Sequence, residues 1–484
     1  MSKVVLENYV GGRWVAAGGK DRLPVANPAT GEVLSHVPLS NAADVDGAVK
    51  AAANAFESWR RVPPVQRARY LFRFRELVEQ NKQELAEICT RDHGKTIAES
   101  LNDLGRGIEN LEHACGIPAL MMGENLEDVA SGIDCESVHQ PLGVFAAITP
   151  FNFPPMVPLW FLPYAIATGN TVVLKVSEQV PLSWQRMAEL LAQTGLPEGV
   201  FNMVHGGKEV VQSLCTHPDV QGVSFVGSTE VAQIVYELAS KHGKRVQALG
   251  GAKNHILILP DAKMQPSVEN AAASVYGCAG QRCLAGSVLV AVGEAYDDVK
   301  KGMLACARSM VLGDGAKPET TMGPVISPAA KERIERAIAK GVAEGAELLL
   351  DGRGKAPAGY EGGSWVGPTL FDKVRPEMSL AREEIFGPVL SLMHAKDFDE
   401  AVSWVNASKY GNAASIFTTS GELARDFRYR VSPAMLGVNI GVAAPMAFFP
   451  FGGSKASFFG DVKAHGRDSI RFFTDRKVVI SRWF

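Results

Sequence analysis

The stretch GCAGQRCLAGS, residues 277–287, carries the residue types that nucleophilic catalysis needs. Small neighbours around Cys283 leave room for a substrate to reach the sulfur. Arg282 adds a positive charge beside it, which would stabilise the attacking thiolate. A strand-like run, SVLVAV, follows at once. Free cysteine is also among the most buried residue types, so a structural thiol is the competing reading of this segment taken alone. The other cysteines (Cys89, Cys115, Cys135, Cys215, Cys278 and Cys306) show no CxxC pairing, and this sparse, odd-numbered set predicts reduced cytoplasmic thiols, not a disulfide frame.

Further candidate groups are spread along the chain. Attack of a thiolate on an aldehyde creates an oxyanion, and the amide of Asn152, in a Pro-flanked loop, could stabilise it together with the backbone N–H of Cys283. An Asn bonding its own turn is the alternative. Lys175 and Glu178 lie just after a strand, where ligands collect in open α/β sheets; a solvated surface pair is the other option. No GxGxxG is present. In its place stands GST, residues 227–229: Gly227 lets the backbone approach a ligand, and the helix capped by Ser228 offers N–H groups and a positive dipole end to a pyrophosphate. Glu384, beside Phe386-Gly-Pro, is either a ligand contact or turn structure. The 10 histidines show no HExxH or other paired metal spacing, and there is no GxSxG elbow, so no metal site and no serine hydrolase is expected.

These groups need a scaffold, and from about residue 144 short β-branched runs alternate with helical patterns, as in a parallel sheet with crossover helices. The strands expected are GVFAAIT, TVVLKV, VFNMV, GVSFVG and VQAL. Helices are expected over LSWQRMAELLAQTG, KEVVQSLCTH and STEVAQIVYELASKHG, the last with Val231, Ile234, Val235 and Leu238 on one face. A second α/β block starts at HILIL (255–259) and runs through SVLVAV, a helix near Glu294, and strands at LSLMHA and AASIFT. Residues 351–368 read as surface loop. An amphipathic helical region over roughly residues 64–92 should pack on the first sheet.

A length of 484 residues predicts about three domains or sub-domains. The net charge of -3, without charged blocks, gives no reason to expect nucleic acid as a partner. The opening residues lack the apolar core of an export signal. Residues 137–174 contain no Asp, Glu, Lys or Arg, but six prolines (Pro141, Pro150, Pro154, Pro155, Pro158 and Pro163) interrupt them, so a buried core segment is expected and not a membrane span.

The cysteine segment resembles the catalytic-cysteine motif of the aldehyde dehydrogenase superfamily. Five more stretches match that superfamily in order: ITPFNFP (148–154), VLKVSEQVP (173–181), SFVGSTEVA (224–232), LGGAKN (249–254) and EEIFGPV (383–389). The resemblance implies Cys283 as nucleophile and Asn152 as oxyanion donor. It implies an NAD site built from Phe151, Lys175, Glu178, Gly227, Ser228, Leu249, Glu384 and Phe386. Lys175 and Glu178 would take the adenosine ribose, where a carboxylate repels a 2′-phosphate and favours NAD over NADP; Glu384 and Phe386 would hold the nicotinamide side. The implied fold class is α/β, with two parallel-sheet, Rossmann-like domains plus a small β-flap. NAD binding is expected over residues 1–122 and 143–253, catalysis over 254–445, and oligomerisation by a flap of residues 123–142 and 465–484, giving a homotetramer built as a dimer of dimers.

One departure is informative. Most hydrolytic members carry a Glu directly before LGG to activate water, and here that position is Ala248. Water has a pKa of about 15.7 and needs a base. A thiol near pKa ~8.5 is already a few per cent thiolate at neutral pH. The acceptor is therefore expected to be a thiol, namely CoA. Ala248, GQRC and PFGGSKASFFGD are similar to the CoA-acylating branch typified by methylmalonate-semialdehyde dehydrogenase. Substrates of that branch carry a carboxylate, for which Arg106 and Arg282 are the candidate clamp, since guanidinium grips carboxylate bidentately. A surface Arg on a helix is the alternative for Arg106.

Overall fold

The computed structural model describes residues 4–484. The β-branched runs expected as strands form the parallel centre of an eight-stranded sheet: Phe201–Met203, Thr171–Lys175, Val144–Ile148, Val220–Val226 and Arg245–Leu249, in that spatial order. Their near-continuous apolar sequences fit strands buried on both faces, and every residue of Val144–Ile148 and Thr171–Lys175 is buried. Two N-terminal strands, Asn8–Val10 and Arg13–Val15, close one edge antiparallel, and the short strand Phe458–Phe459 closes the other. The helical region at 64–92 is two helices, Pro64–Gln80 and Lys82–His93, broken at Asn81. From Gly143 on, the charge-free segment is mostly core: after Val144–Ile148 it forms the buried short helices Met156–Leu159 and Leu162–Thr168, whereas residues 137–141 are part-exposed and belong to a strand outside this sheet. No helix among the described residues is long and apolar enough to cross a membrane.

The second sheet has seven strands. Thr369–Asp372, Val389–Ala395, Val288–Val292, His255–Ile258, Ala413–Phe417 and Met435–Val438 run parallel in that order, with Glu347–Leu350 antiparallel at one edge. The first sheet packs against two apolar clusters and the second sheet against one. A separate three-stranded antiparallel flap joins Glu124–Ala130, Ile133–Pro141 and the C-terminal Thr474–Arg482. Residues 466–473, expected as flap, are instead the helix Gly466–Phe473, whose Ile470, Phe472 and Phe473 pack into the first core.

Helix Thr229–Lys241 corrects one expectation in detail. Its buried face is Ala232, Val235 and Ala239, while Val231 and Ile234 are exposed at 40% and 56%. A helical face is about one third of the circumference, and the small alanines let the backbone lie closer to the sheet than the larger side chains would.

Candidate active site

The nucleophile segment leaves helix Met264–Tyr276 through a left-handed turn at Cys278, Ala279 and Gly280. A Cβ at Gly280 would fall 2.1 Å from the Gly387 carbonyl oxygen, so only glycine lets this loop press against residues 383–389. Strand Val288–Val292 then anchors the other end. The carbonyl of Cys283 accepts from the side-chain amides of Asn254 and Asn412, each at 2.8 Å. Two donors on one carbonyl fix the peptide, and with it the direction of the Cys283 side chain.

Cys283 borders a cavity of about 260 Å³ whose wall includes Arg106, Phe153, Trp160, Arg282 and His465. Burial pushes its thiol up to about 12, with the charge of Glu384 adding to the effect. The backbone N–H groups of Cys283 and Leu284, and Arg282, pull the other way. Arg282 thus favours the thiolate, as expected from its position, but burial outweighs it. Arg282 turns away: its Nε donates to the Cys278 sulfur at 3.2 Å and its Nη2 to Glu99 at 3.4 Å. Adjacent side chains in an irregular segment need not share a direction, which the sequence does not display.

Helix Ile97–Cys115 supplies one wall. Thr96 and Glu99 form a capping box at its N-terminus, and the second Glu99 oxygen accepts from the Cys278 N–H at 2.6 Å. The helix is thereby tied to the nucleophile loop. Two turns on, Arg106 reaches the cavity, paired with Glu109 at 2.7 Å and donating to the Pro445 carbonyl and the Met446 sulfur. Both candidate arginines line the same cavity as Cys283. The Asn152 amide donates to the Gln281 carbonyl at 3.1 Å, not to its own turn. An amide has two N–H groups, so one is left for an oxyanion.

The other predicted residues gather at the C-terminal edge of the first sheet, where Ile148 is level with Lys175 and Phe225, and Val226 with Leu249. Lys175 and Glu178 pair at 2.7 Å; burial alone would raise the Glu178 carboxyl, but Lys175 outweighs it and holds it below the usual range. A Cβ at Gly227 would lie 2.5 Å from the Phe225 ring, and the Gly227 N–H donates to the Leu249 carbonyl at 3.0 Å. Ser228 occupies the N-cap of helix Thr229–Lys241, but its hydroxyl makes no cap bond, so first-turn N–H groups stay open to a ligand. Glu384 accepts from the Ala252 N–H at 2.8 Å, and burial raises its carboxyl. Phe151 and Phe386 meet edge to face at 5.8 Å, with Phe386 in the left-handed region at φ 52°.

A model of the aldehyde dehydrogenase family matches residues 14–479. The chain belongs to the aldehyde dehydrogenase family. It is 49% identical over 479 residues to malonate-semialdehyde dehydrogenase 1 of Geobacillus kaustophilus, covering 99% of this chain and 98% of that one. It is 47% identical to malonate-semialdehyde dehydrogenase of Halalkalibacterium halodurans, with coverage of 99% and 98%. Among solved structures, it superposes with a TM-score of 0.98 on a protein from Sinorhizobium meliloti described as a methylmalonate-semialdehyde dehydrogenase and complexed with NAD, at 43% identity and 100% and 99% coverage. The methylmalonate-semialdehyde dehydrogenase of Oceanimonas doudoroffii gives 0.97 at 44% identity, with coverage of 99% and 98%.

Within this aldehyde dehydrogenase, no carboxylate among the described residues of the cavity wall is free to activate water. Ala248 is fully buried among Ile148, Phe225 and Val246. Glu99 is held by Thr96, Cys278 and Arg282. Asp103 is held by Lys95 and the Met156 N–H. Several groups around the site were not singled out from sequence: Lys95, Glu99, Asp103, Asn254 and Asn412. Glu99 has a legible signal, the T-x-x-E spacing of a capping box, and Asn254 closes the LGGAKN stretch.

Proposed function

We propose that this aldehyde dehydrogenase oxidises malonate or methylmalonate semialdehyde with NAD, and releases the acyl group to CoA after loss of CO2. The observation that carries the reading is one cavity holding Cys283 and two guanidinium groups but, among the described residues, no carboxylate free to serve as a base. Arg106 and Arg282 hold the substrate carboxylate and so set the aldehyde over the sulfur. The Cys283 thiol gives up its proton to water in the open cavity and adds as the thiolate to the carbonyl carbon, and the resulting oxyanion is met by the Asn152 amide and the Cys283 N–H.

Lys175 and Glu178 would hold the adenosine ribose, Gly227 and the N-terminal turn at Ser228 the pyrophosphate, and Glu384, Phe386, Phe151 and Leu249 the nicotinamide end. The open N–H groups at Ser228 and the close approach that Gly227 permits fit that cofactor. NAD bound there supplies the hydride acceptor that turns the adduct into a Cys283 thioester. The C–CO2 bond of the acyl group then breaks, and its electron pair moves onto the thioester oxygen, where the same two donors receive it. After protonation at carbon, CoA thiolate attacks the thioester carbon and Cys283 leaves as thiolate. The products are acetyl-CoA or propionyl-CoA.

We read the flap as the oligomerisation element of a homotetramer, supported by the exposed apolar Leu126, Val478, Ile480 and Trp483 on and beside its strands. Seven unpaired cysteines suit a reducing, cytoplasmic setting. The deciding experiment is NADH formation from malonate semialdehyde and NAD, with and without CoA, with the product identified by mass. Steady turnover that requires CoA and yields acetyl-CoA is expected. Equal turnover without CoA, releasing a free acid, would overturn the reading.

A further inference from the structure

Asn152 sits in a segment, residues 149–155, that belongs to no helix or strand. Such a segment has no ladder to fix it, yet an oxyanion donor must be placed to within a fraction of an ångström. Two fully buried charges lie beneath it. Lys95 stands in the short link between helices Lys82–His93 and Ile97–Cys115, and its Nζ donates to Asp103 Oδ2 at 2.8 Å and to the Asn152 carbonyl at 2.7 Å. The same ammonium lies 4.3 Å from the centroid of the Phe153 ring. The other oxygen of Asp103 accepts the Met156 N–H at 3.0 Å. Between them the pair touches residues 152, 153 and 156.

A buried ion pair is a weak source of stability, because desolvation of both charges offsets their attraction, and apolar replacements are often neutral. What it supplies here is direction. We infer that Lys95 and Asp103 are positioning residues that clamp the 149–155 segment and aim the Asn152 amide at the aldehyde oxygen. The link holding Lys95 is itself fixed: Gly94 is left-handed at φ 92°, and a Cβ there would meet Pro324 and Pro28 at 2.7 and 2.8 Å. Asp103 lies on the same helix as Glu99 and Arg106, so one rigid element sets the oxyanion donor, the nucleophile loop and a carboxylate-binding arginine.

This inference rests on Asn152 being the oxyanion donor, and the test separates the two claims. The readout is the first-order rate constant of the NADH burst with malonate semialdehyde and NAD; its amplitude counts folded sites, so the rate constant is independent of partial folding. Asn152→Ala should slow the burst by about 100-fold or more. The double change Lys95→Met with Asp103→Leu, which removes both charges together, should slow it by at least about tenfold. Added to Asn152→Ala, the double change should slow it no further, since residues acting through one group are not additive. Asp103→Asn, closest to native shape, provides the same comparison should the double variant not fold. A normal burst in Asn152→Ala would refute the oxyanion assignment. A normal burst in the charge-pair variants, or an undiminished further loss on the Asn152→Ala background, would refute the positioning role alone.

Discussion

Replacement of Arg106 by Ala should convert a carboxylate-selective aldehyde dehydrogenase into one that treats charged and uncharged short aldehydes more alike. A hydrogen bond to a charged group contributes about 1.5–3 kcal/mol, a factor of roughly 10 to 150 in kcat/KM. The Arg106 side chain is 31% exposed and already shared with Glu109, so screening and competition place the loss near the lower end, about 10- to 30-fold. The assay compares kcat/KM for malonate semialdehyde and for propanal, which has the same chain length without the carboxylate, at saturating NAD and CoA. The malonate semialdehyde value should fall by that factor while propanal changes less than about twofold. Arg106→Lys keeps the charge but not the planar fork, and should fall between. Equal losses on both substrates, or none on either, would refute the clamp. Arg282→Ala is a poorer probe, because it also removes partners from Glu99 and Cys278.

Other measurements test neighbouring parts of the argument. Burial holds the Cys283 thiol near 12, and only the thiolate is alkylated, so iodoacetamide modification of the ligand-free protein should keep accelerating from pH 7 to 10; a plateau below pH 9 would contradict it. Glu178→Gln removes a carboxylate that repels a 2′-phosphate, and the ratio of kcat/KM with NADP to that with NAD should rise by about tenfold, or ~1.4 kcal/mol; an unchanged ratio would remove Glu178 from the ribose site. Asp103→Ala leaves the Lys95 ammonium buried without its counter-ion and should lower unfolding free energy in urea by about 3–5 kcal/mol, with a loss under ~1 kcal/mol counting against the pair as drawn. Gly227→Ala puts a Cβ against the Phe225 ring and should weaken NAD binding in calorimetry while the burst amplitude at saturating NAD is kept; unchanged affinity would argue against pyrophosphate binding at that turn.

Much of the scaffold was written in short-range pattern. The five β-branched runs from residue 144 to 249 became strands, because each is an apolar run bounded by turn signals and long enough only for a strand. Prolines spaced through residues 137–174 mark that segment as core, which holds from about residue 143 on, while residues 137–141 lie in the part-exposed flap. The edge strands at residues 8–15 and 458–459 were not legible, since pairing to a sheet edge depends on a partner distant in sequence. Helix Ile97–Cys115 shows in the sequence only Arg106 as a site candidate, although it organises the cavity.

For the site, residue type and local order determined the nucleophile candidate Cys283, the motif segments, and the lack of a carboxylate at Ala248. Those are properties of single positions, and a sequence records them directly. Tertiary structure alone decided that Arg282 serves Cys278 and Glu99, that burial raises the Cys283 thiol, and that Lys95 and Asp103 lie under Asn152. Each of these depends on side-chain direction, on exclusion of water, or on contact between residues as far apart as 57 or 183 positions. No pattern of near neighbours encodes such contacts, because they exist only once separate elements have packed.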